Sequence, residues 1–455
     1  MPRLTLVEVH GLLGEFDHRI DFPSDWDFVI AYGPNGVGKT RLLESVKSLL
    51  SLETYALWRA PFAQLRLDFD DGHELRAAKP YMEPGSWGDA DLPDDDQDSK
   101  RLTITLRRAG AEIAVVELDR RAVSQGSFFH WVERATTWHQ VGPDLWEDST
   151  DGELVPTEEL KRRFPRQRAN VEREEELSRI PEALQEFCDS VHCHLIETQR
   201  LLTVPKHRPR RAPGVRPAAM RATVSEYSED LRRNLNQALA QNSRMTQTLD
   251  RSFPSRILER RPSRQADDVL IRQRYTEQNY LRTRLAKIGL IGSEPDFPLP
   301  DKALEPWQRE VLSTYLDDTD QKLATFGDIL SKVTLLEEIV NSRFLRKRIS
   351  VNTEDGLTIQ AHRGERMGPE DLSSGEQHEL ILIYDLLFNV PENALVLIDE
   401  PEISLHVVWQ QRFLADLSRI AGLSSLRFIV ATHSPQIIYK SWDKTVELAL
   451  GEEIE

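Results

Sequence analysis

A glycine-rich loop, "GPNGVGKT" from Gly33 to Thr40, has the residue types and spacing that could hold a phosphate chain. It fits the pattern G-x-x-x-x-G-K-[ST], in which glycines let successive backbone N–H groups surround phosphates. The apolar run Phe28–Tyr32 before the loop predicts a strand, and the apolar-periodic run Arg41–Leu52 after it predicts a helix, which is the context that such a loop requires. Lys39 would reach the β- and γ-phosphates, and the Thr40 hydroxyl would bind Mg²⁺. The residues expected to line this nucleotide site are Asn35, Gly36, Val37, Gly38, Lys39, Thr40 and Arg41.

Two adjacent carboxylates, Asp399 and Glu400, follow the apolar run Leu395–Ile398. Such a run predicts a buried strand of a parallel sheet, and ligands bind at the carboxyl ends of those strands. Asp399 could hold Mg²⁺ through water, and Glu400 could orient and deprotonate an attacking water. An Asp-Glu-Pro sequence that only ends a strand is the alternative, and the nearby phosphate-loop pattern makes it much weaker.

His433 ends another apolar run, "RFIVATHS". Taken alone, a histidine at a strand end is more often structural than catalytic. One strand after an Asp-Glu pair, the catalytic interpretation is favoured, because an imidazole there could contact both the γ-phosphate and the attacking water.

A small polar turn, "LSSGEQ" from Leu372 to Gln377, precedes an apolar run that predicts a helix beginning at Gln377. The start of a helix carries partial positive charge and free N–H groups, so it can bind a phosphate.

Taken in chain order, the phosphate loop, "LSSGE", the Asp-Glu pair and the histidine resemble the ABC-type ATPase heads of the RecF, SMC and OLD families. In those families the signature "LSxGE" faces the nucleotide held by a second subunit. The resemblance implies ATP and Mg²⁺ as cofactors, ATP hydrolysis, and catalytic roles for Glu400 and His433. It also implies a signature acting in trans, formed by Ser373, Ser374, Gly375 and Glu376.

Two further positions follow from the same resemblance. Gln199 in "ETQRL" matches the glutamine that contacts Mg²⁺ in these heads, so the metal set becomes Thr40, Gln199 and Asp399; an ordinary turn glutamine is the alternative. His406 in "SLH" stands where transporters carry an aspartate, which weakens any detailed account of communication between two sites.

Strand-like patterns occupy both ends of the chain, and charged sequence with helical apolar spacing occupies its middle. The fold class expected is α/β: an ABC-type P-loop head with a β-rich N-terminal lobe and a parallel-sheet C-terminal lobe, interrupted by a helical or coiled-coil arm. The expected boundaries are 1–215 for the first lobe, 216–348 for the arm and 349–455 for the second lobe.

The formal net charge of −17 argues against broad nucleic-acid binding through a basic face. Two Arg-rich segments, 161–173 and 206–221, could still form a local basic patch; a solvated loop is the simpler interpretation.

Cys188 and Cys193 have no metal-ligand spacing and predict buried thiols. Without a long apolar run or an N-terminal signal pattern, we expect a cytoplasmic protein with no membrane partner.

The region from the signature to the histidine is similar to stand-alone OLD-like ATPases of bacterial antiphage systems, especially the AriA-like group of PARIS; the PtuA-like group of Septu is similar in plan. Only a short segment follows Ser434, so we expect any nuclease to be a separate chain. The resemblance implies a homo-oligomer of head-to-head dimers, a Toprim-like or HNH nuclease effector, and a phage-encoded trigger.

Three functions therefore remain open at this point. The first is a sensor ATPase of an antiphage system, and the second is a RecF-like repair ATPase that clamps duplex DNA with a steep salt dependence. The third is a scaffold with little ATP turnover. The acidic charge and the family-like C-terminal region favour the sensor.

Overall fold

The chain forms two compact units, seen in a computed structural model. It describes residues 2–79, 101–119, 132, 136–142, 145–150, 153–156, 159–160, 163–164, 179–197, 218–259, 267–292, 297–368, 371–405 and 407–448. One unit comprises Met1–Thr198, Pro391–Ile403 and Gln410–Glu455, and the other comprises Gln199–Val390 and Ser404–Trp409. This division differs from the boundaries expected at 215 and 348, because the segment 349–390 groups with the helical middle.

Most strands belong to the first unit. They are β1 (Leu4–Leu12), β2 (Phe16–Asp21), β3 (Phe28–Tyr32), β4 (Gln64–Phe69), β5 (His73–Ala78), β6 (Arg101–Arg108), β7 (Ala111–Asp119), β8 (Trp138–Gly142), β9 (Leu145–Asp148), β10 (Leu154–Pro156), β11 (Cys193–Glu197), β15 (Leu395–Asp399), β16 (Arg427–Thr432) and β17 (Thr445–Glu447). Its helices are α1 (Lys39–Leu50), α2 (Thr54–Arg59), α3 (Glu182–Ser190) and α10 (Pro435–Ile438), and α9 (Val407–Ser424) runs mainly in it.

Two large sheets organise this unit. The first is antiparallel with strand order β2-β1-β4-β5-β6-β7, and the second is parallel with order β11-β15-β16-β3-β17. Strand β4 alternates between buried and half-buried side chains, as expected when one face packs on a core. All six residues of β16 are buried, as expected for a central parallel strand covered on both faces.

Helix α1 lies between the two sheets. It contacts β1 and β4 of the antiparallel sheet and β11, β15 and β16 of the parallel sheet. Leu42, Leu43, Val46 and Leu49 of α1 are fully buried in the shared hydrophobic core. Packing on both sides fixes the start of α1, which follows the glycine-rich loop.

Arg427, at the start of β16, ties the sheets together from inside. Its guanidinium donates to the backbone oxygens of Leu4 at 2.5 Å and Pro23 at 2.8 Å, and lies 3.5 Å from the Phe22 ring centre. Burial lowers its pKa to about 10. Because carbonyl oxygens replace its water, the buried cation is tolerated.

The second unit is mainly helical. Its helices are α4 (Ala218–Glu259), α5 (Asp268–Lys287), α6 (Pro306–Ala324), α7 (Gly327–Asn341) and α8 (Ser374–Tyr384), and its strands are β12 (Lys347–Asn352), β13 (Gly356–Ala361) and β14 (Arg366–Met367). Helix α4 has 42 residues and is about 60 Å long. It packs against α6, α8 and β13, while α5 packs against α6 and α7 against β12.

The expected fold class is confirmed: an α/β protein with a parallel sheet and a helical segment inserted between its strands. The strand expected at Phe28–Tyr32 has those bounds, and the strand expected at 395–398 extends one residue to Asp399. Within the described residues, no helix combines the length and the apolar character needed to cross a membrane.

Candidate nucleotide-binding site

The phosphate-binding loop connects β3 to α1 at the carboxyl edge of the parallel sheet. Its first glycine, Gly33, faces the backbone of Leu448, and a Cβ there would lie 2.8 Å from that carbonyl oxygen. Gly38 has a φ of +85°, and a Cβ there would lie 2.6 Å from a methyl carbon of Leu12. Both positions require glycine, so the loop keeps the shape that exposes its backbone N–H groups.

Lys39 is the first residue of α1, and its side chain folds over the loop. Its ammonium donates to the carbonyl oxygens of Gly33 and Pro34, both at 2.8 Å. Burial lowers the pKa of Lys39, while three nearby carboxylates act in the opposite direction. The ammonium therefore lies within the loop and is positioned to exchange carbonyl contacts for phosphate oxygens.

The remaining loop side chains differ in exposure. Asn35 and Gly36 are exposed, Val37 is buried, and the side chain of Arg41 is exposed on α1, where it pairs with Glu44 at 2.8 Å. Because the Arg41 guanidinium already pairs with Glu44, binding a nucleotide would require it to share or leave that partner. A nucleotide contact from Arg41 stays a prediction.

His18 supports the loop and was missed by sequence reasoning. It lies on β2, is buried, and its Nε2 donates to the carbonyl oxygen of Val37 at 2.8 Å. Its ring stacks on Phe16 with centroids 5.8 Å apart. No local pattern marks this histidine, because the contact depends on how the antiparallel sheet packs beside the loop.

Thr40 and Asp399 meet although 359 positions separate them. The Thr40 hydroxyl donates to Oδ2 of Asp399 at 2.8 Å. Burial raises the pKa of Asp399 to about 6; the Thr40 bond opposes this change and the adjacent Glu400 adds to it. A hydroxyl and a carboxylate are hard oxygen donors, so this pair fits Mg²⁺ together with nucleotide phosphates.

Glu400 stands at the turn that follows β15. Its φ is +44°, a left-handed conformation that costs about 1 kcal/mol or more in a residue other than glycine. Its N–H donates to the carbonyl oxygen of Ala431 on the neighbouring strand at 2.9 Å. The strained turn thus holds the Glu400 carboxylate beside the end of β16.

His433 lies directly after β16, beside two carboxylates. Its Nδ1 is 3.6 Å from Oε1 of Glu400 and 3.1 Å from Oε1 of Glu402. The imidazole is about half exposed, whereas Glu402 is 7% exposed. Sequence reasoning identified Glu400 and His433 and missed Glu402, whose only signal was a third carboxylate in "DEPE".

The signature segment lies in the second unit. Helix α8 begins at Ser374, so the expected start at Gln377 was wrong by three residues. The cause is a capping box: the Ser373 hydroxyl accepts from the Glu376 N–H, and the Glu376 carboxylate accepts from the Ser373 N–H at 2.7 Å. Gly375 and Glu376 therefore lie in the first helical turn, where free N–H groups concentrate.

Glu376 is held from another element. Its Oε2 accepts from Lys347 of β12 at 2.8 Å, and Lys347 also donates to the carbonyl oxygen of Asp371 at 2.6 Å. Burial acts to raise the pKa of Glu376, but the bonds from Lys347 and Ser373 outweigh it and lower the pKa. Ser373 and Ser374 are exposed, so the head of α8 is accessible to a ligand.

Several expectations fall outside the described residues. Gln199 and His406 are not described, and neither is most of the two Arg-rich segments.

Cys188 and Cys193 are free thiols, and burial raises the pKa of each to about 12. Across the described ranges, no cluster of three or more His, Cys, Asp or Glu side chains is placed to hold a metal.

These features define a P-loop nucleotide-binding protein with a parallel-sheet core. The chain belongs to the family described as "AAA domain, putative AbiEii toxin, Type IV TA system", whose model matches residues 116–438, well over half of its length. The match includes the signature, the Asp-Glu pair and His433, and the phosphate-binding loop precedes it.

No curated protein matches the chain. A crystal structure of the Smc head domain with an extended coiled coil, bound to the C-terminal domain of ScpA and derived from Pyrococcus furiosus, is similar at 14% identity. That alignment covers 99% of this chain and 95% of the other with a TM-score of 0.34, too low to support any conclusion.

Proposed function

We propose that this protein binds ATP with Mg²⁺ and hydrolyses it. The observation that carries the proposal is the contact between Thr40 and Asp399 at 2.8 Å. The neighbouring residue Lys39 is buried, and its ammonium interacts electrostatically with the Asp399 carboxylate. A phosphate chain on the loop would receive Lys39 and the backbone N–H groups. Thr40 and Asp399 would hold the magnesium ion that neutralises the phosphate charge.

The hydrolytic groups in this proposal are Glu400 and His433. Both follow neighbouring parallel strands, and their side chains lie within 3.6 Å of each other. Glu400 would orient and deprotonate the attacking water, and His433 would contact the water and the γ-phosphate. The strained backbone of Glu400 supports a functional role, since strain of this kind concentrates at active sites.

A second copy of the chain would complete the site. The signature residues Ser373, Ser374, Gly375 and Glu376 form the head of α8, where partial positive charge favours an anion. The capping box uses the N–H groups of Ser373 and Glu376, so the N–H groups of Ser374 and Gly375 are the ones that would contact the anion. The exposure of Ser373 and Ser374 supports access by a nucleotide held on another copy. Two heads would then enclose two nucleotides, each between Lys39 of one copy and Ser373 of the other.

Helix α8 would report the nucleotide to the helical segment. At its far end, Tyr384 donates to Asp230 of α4 at 2.8 Å, and Tyr227 of α4 donates to Asp385 at 2.7 Å. The two tyrosine rings stack with centroids 4.4 Å apart. Because these contacts are buried or partly buried, a shift of α8 would move α4 with it.

For the biological role, we propose a cytoplasmic sensor subunit of an antiphage system. It would form a homo-oligomer of head-to-head dimers, hold a separately encoded Toprim-like or HNH nuclease, and release or activate it when a phage protein is detected. Support comes from the "LSSGE" and "DEPEISLH" motifs and from the family description, which names a putative toxin of a Type IV toxin–antitoxin system.

The substitution Glu400→Gln tests both levels of this proposal. It removes the base but keeps the side-chain volume, so we expect ATP turnover to fall by about 100-fold or more while nucleotide stays bound. Phosphate release and retention of labelled ATP after gel filtration measure the two effects. Turnover equal to that of the wild type would exclude Glu400 as the base.

The same variant addresses the role in cells. Bacteria carrying the gene with its neighbouring genes are challenged with phage, and plaque counts are compared for wild type, Glu400→Gln and Lys39→Ala. A sensor that depends on nucleotide loses protection in at least one variant. Unchanged protection with both variants would contradict the sensor proposal. It would not affect the ATPase assignment, which the phosphate-release assay tests separately.

A further inference from the structure

Glu402 has a set of contacts that the proposed chemistry has not used. It lies in the short 3₁₀ turn Pro401–Ser404 that follows β15. Its Oε1 accepts from the Thr432 hydroxyl at 2.6 Å and from the His433 backbone N–H at 3.0 Å. The same oxygen lies 3.1 Å from Nδ1 of His433. One buried carboxylate oxygen therefore meets both the backbone and the ring of His433.

The contacts of Thr432 make this arrangement rigid. Thr432 is fully buried at the end of β16, and its hydroxyl oxygen also accepts from the Ser434 N–H at 3.0 Å. The Glu402 carboxylate thus holds Thr432 and the backbone of His433, and Thr432 in turn holds the backbone of Ser434. These contacts restrict the backbone that carries the imidazole.

The charge of the two carboxylates then decides which ring nitrogen of His433 carries the proton. Ionised carboxylates only accept hydrogen bonds, and the ring nitrogen facing both Glu402 and Glu400 is Nδ1, at 3.1 and 3.6 Å. A proton on Nδ1 is therefore favoured over a lone pair. Nε2, the other ring nitrogen, is left for a ligand.

We propose that Glu402 is a positioning residue that keeps a proton on Nδ1 of His433 and so determines which nitrogen meets the nucleotide. A carboxylate that orients an imidazole in this way is a general device for setting the tautomer. The catalytic consequence rests on the proposed function of His433 in hydrolysis; the tautomer itself does not.

A purely structural turn contact is the competing explanation. Closing the turn needs only the contacts of Oε1 with the Thr432 hydroxyl and the His433 backbone N–H. The approach of the same oxygen to Nδ1 of the His433 ring at 3.1 Å is not needed for that role, and it is the contact that the positioning role explains.

The test reads the tautomer directly. Long-range ¹H–¹⁵N spectra of histidine-labelled, nucleotide-free protein are recorded at pH 8, where an ordinary imidazole is neutral, and His433 is assigned by His433→Asn. In the wild type we expect the Nδ1–H form. Glu402→Met fills the same space without an acceptor and leaves only Glu400, at 3.6 Å, beside Nδ1, so we expect the fraction of the Nε2–H form to rise well above that of the wild type.

Thr432→Val is the matched control, since it breaks the same turn but keeps the carboxylate beside Nδ1. We expect it to retain the Nδ1–H form. If Glu402→Met fails to fold, Glu402→Gln decides: its neutral amide still serves Thr432 and the backbone N–H, but it is a weaker acceptor for Nδ1–H. The fraction of the Nδ1–H form should then fall below that of the wild type.

Kinetics separate this inference from the proposed function. We expect Glu402→Gln to lower kcat roughly tenfold to a hundredfold with little change in KM for ATP. An unchanged tautomer in every folded Glu402 variant would overturn the positioning role, whatever the rate. A changed tautomer with unchanged kcat would support the positioning role and remove His433 from the hydrolytic machinery.

Discussion

Asp399 and Glu400 are neighbours in sequence but differ in backbone and surroundings. Asp399 ends β15, receives the Thr40 hydroxyl, and has a pKa raised to about 6, chiefly by burial. Glu400 leaves the strand in a left-handed conformation and lies near His433. Environment therefore separates a candidate metal ligand, Asp399, from a candidate base, Glu400, which the residue types alone do not do.

The pKa of Asp399 predicts a pH-dependent effect of Asp399→Asn. The folded state binds the proton more tightly than the unfolded chain, whose ordinary value is 3.8, so this group lowers stability as pH rises from about 4 to about 6. Without Mg²⁺ at pH 7.5, Asp399→Asn should raise the free energy of unfolding by about 1 kcal/mol after allowance for solvent screening.

Denaturant titrations at several pH values measure this difference, which should shrink as pH falls through 6. The exposed Asp25→Asn serves as the control and should change stability little at any pH. A loss of stability in Asp399→Asn at pH 7.5 would contradict this prediction, because it would show that the ionised carboxylate stabilises the fold despite its burial.

At the scale of elements, ion pairs from two neighbouring segments hold helix α8. Lys347 of β12 holds its first turn through Glu376, and Arg343, just after α7, pairs with Glu379 one turn further on. The side chains of this second pair are 1% and 0% exposed. A buried ion pair between α8 and the end of α7 couples the signature helix to the helical segment.

Removing one partner of this pair should be far more damaging than removing both. Glu379→Gln leaves a buried guanidinium without its counter-charge, so we expect a loss of about 3–5 kcal/mol in the free energy of unfolding. The double substitution Arg343→Met with Glu379→Leu should recover much of that loss. Denaturation of Arg343→Met, Glu379→Leu and the double variant that combines them gives the coupling energy.

An exposed ion pair in the same unit provides the comparison. Arg366 and Asp355 lie 2.9 Å apart, with the arginine 73% exposed. Asp355→Asn should therefore cost less than about 1 kcal/mol. Equal effects at the buried and exposed pairs would mean that the contact between Arg343 and Glu379 does not hold α8.

For the whole molecule, the central prediction is an active site shared between copies. Lys39→Ala removes the phosphate-binding ammonium, and Gly375→Asp places negative charge at the head of α8. Each variant alone should be inactive, but a mixed dimer contains one intact combination of loop and signature. Random mixing should restore about a quarter of wild-type turnover if the two sites act independently.

Phosphate release from equimolar mixtures, after exchange of subunits, is the measurement. Mixing Lys39→Ala with Glu400→Gln is the matched control, because both residues serve the same loop-side half of the site. That mixture should stay inactive. Restoration by neither mixture would contradict a site completed in trans, while each variant's ATP binding shows whether its own loop is intact.

Local sequence determined the elements that carry the site. The strands before Gly33 and Asp399 were predicted because short apolar runs end in polar residues, and the helix after Lys39 because apolar residues recur at helical spacing. These signals depend on neighbours along the chain. The start of α8 was missed because a capping box, rather than the apolar pattern, ends the turn at Ser373.

Only the tertiary structure decided which of these residues meet. Parallel strands β11, β15, β16 and β3 come from distant parts of the chain, and they pair in one sheet whose central strands are covered on both faces. The parallel sheet brings Asp399 to Thr40 and Glu402 to His433, and the packing of the antiparallel sheet beside the phosphate-binding loop brings His18 to the carbonyl oxygen of Val37. A motif specifies residue types at a strand end, whereas long-range packing specifies the distances between them.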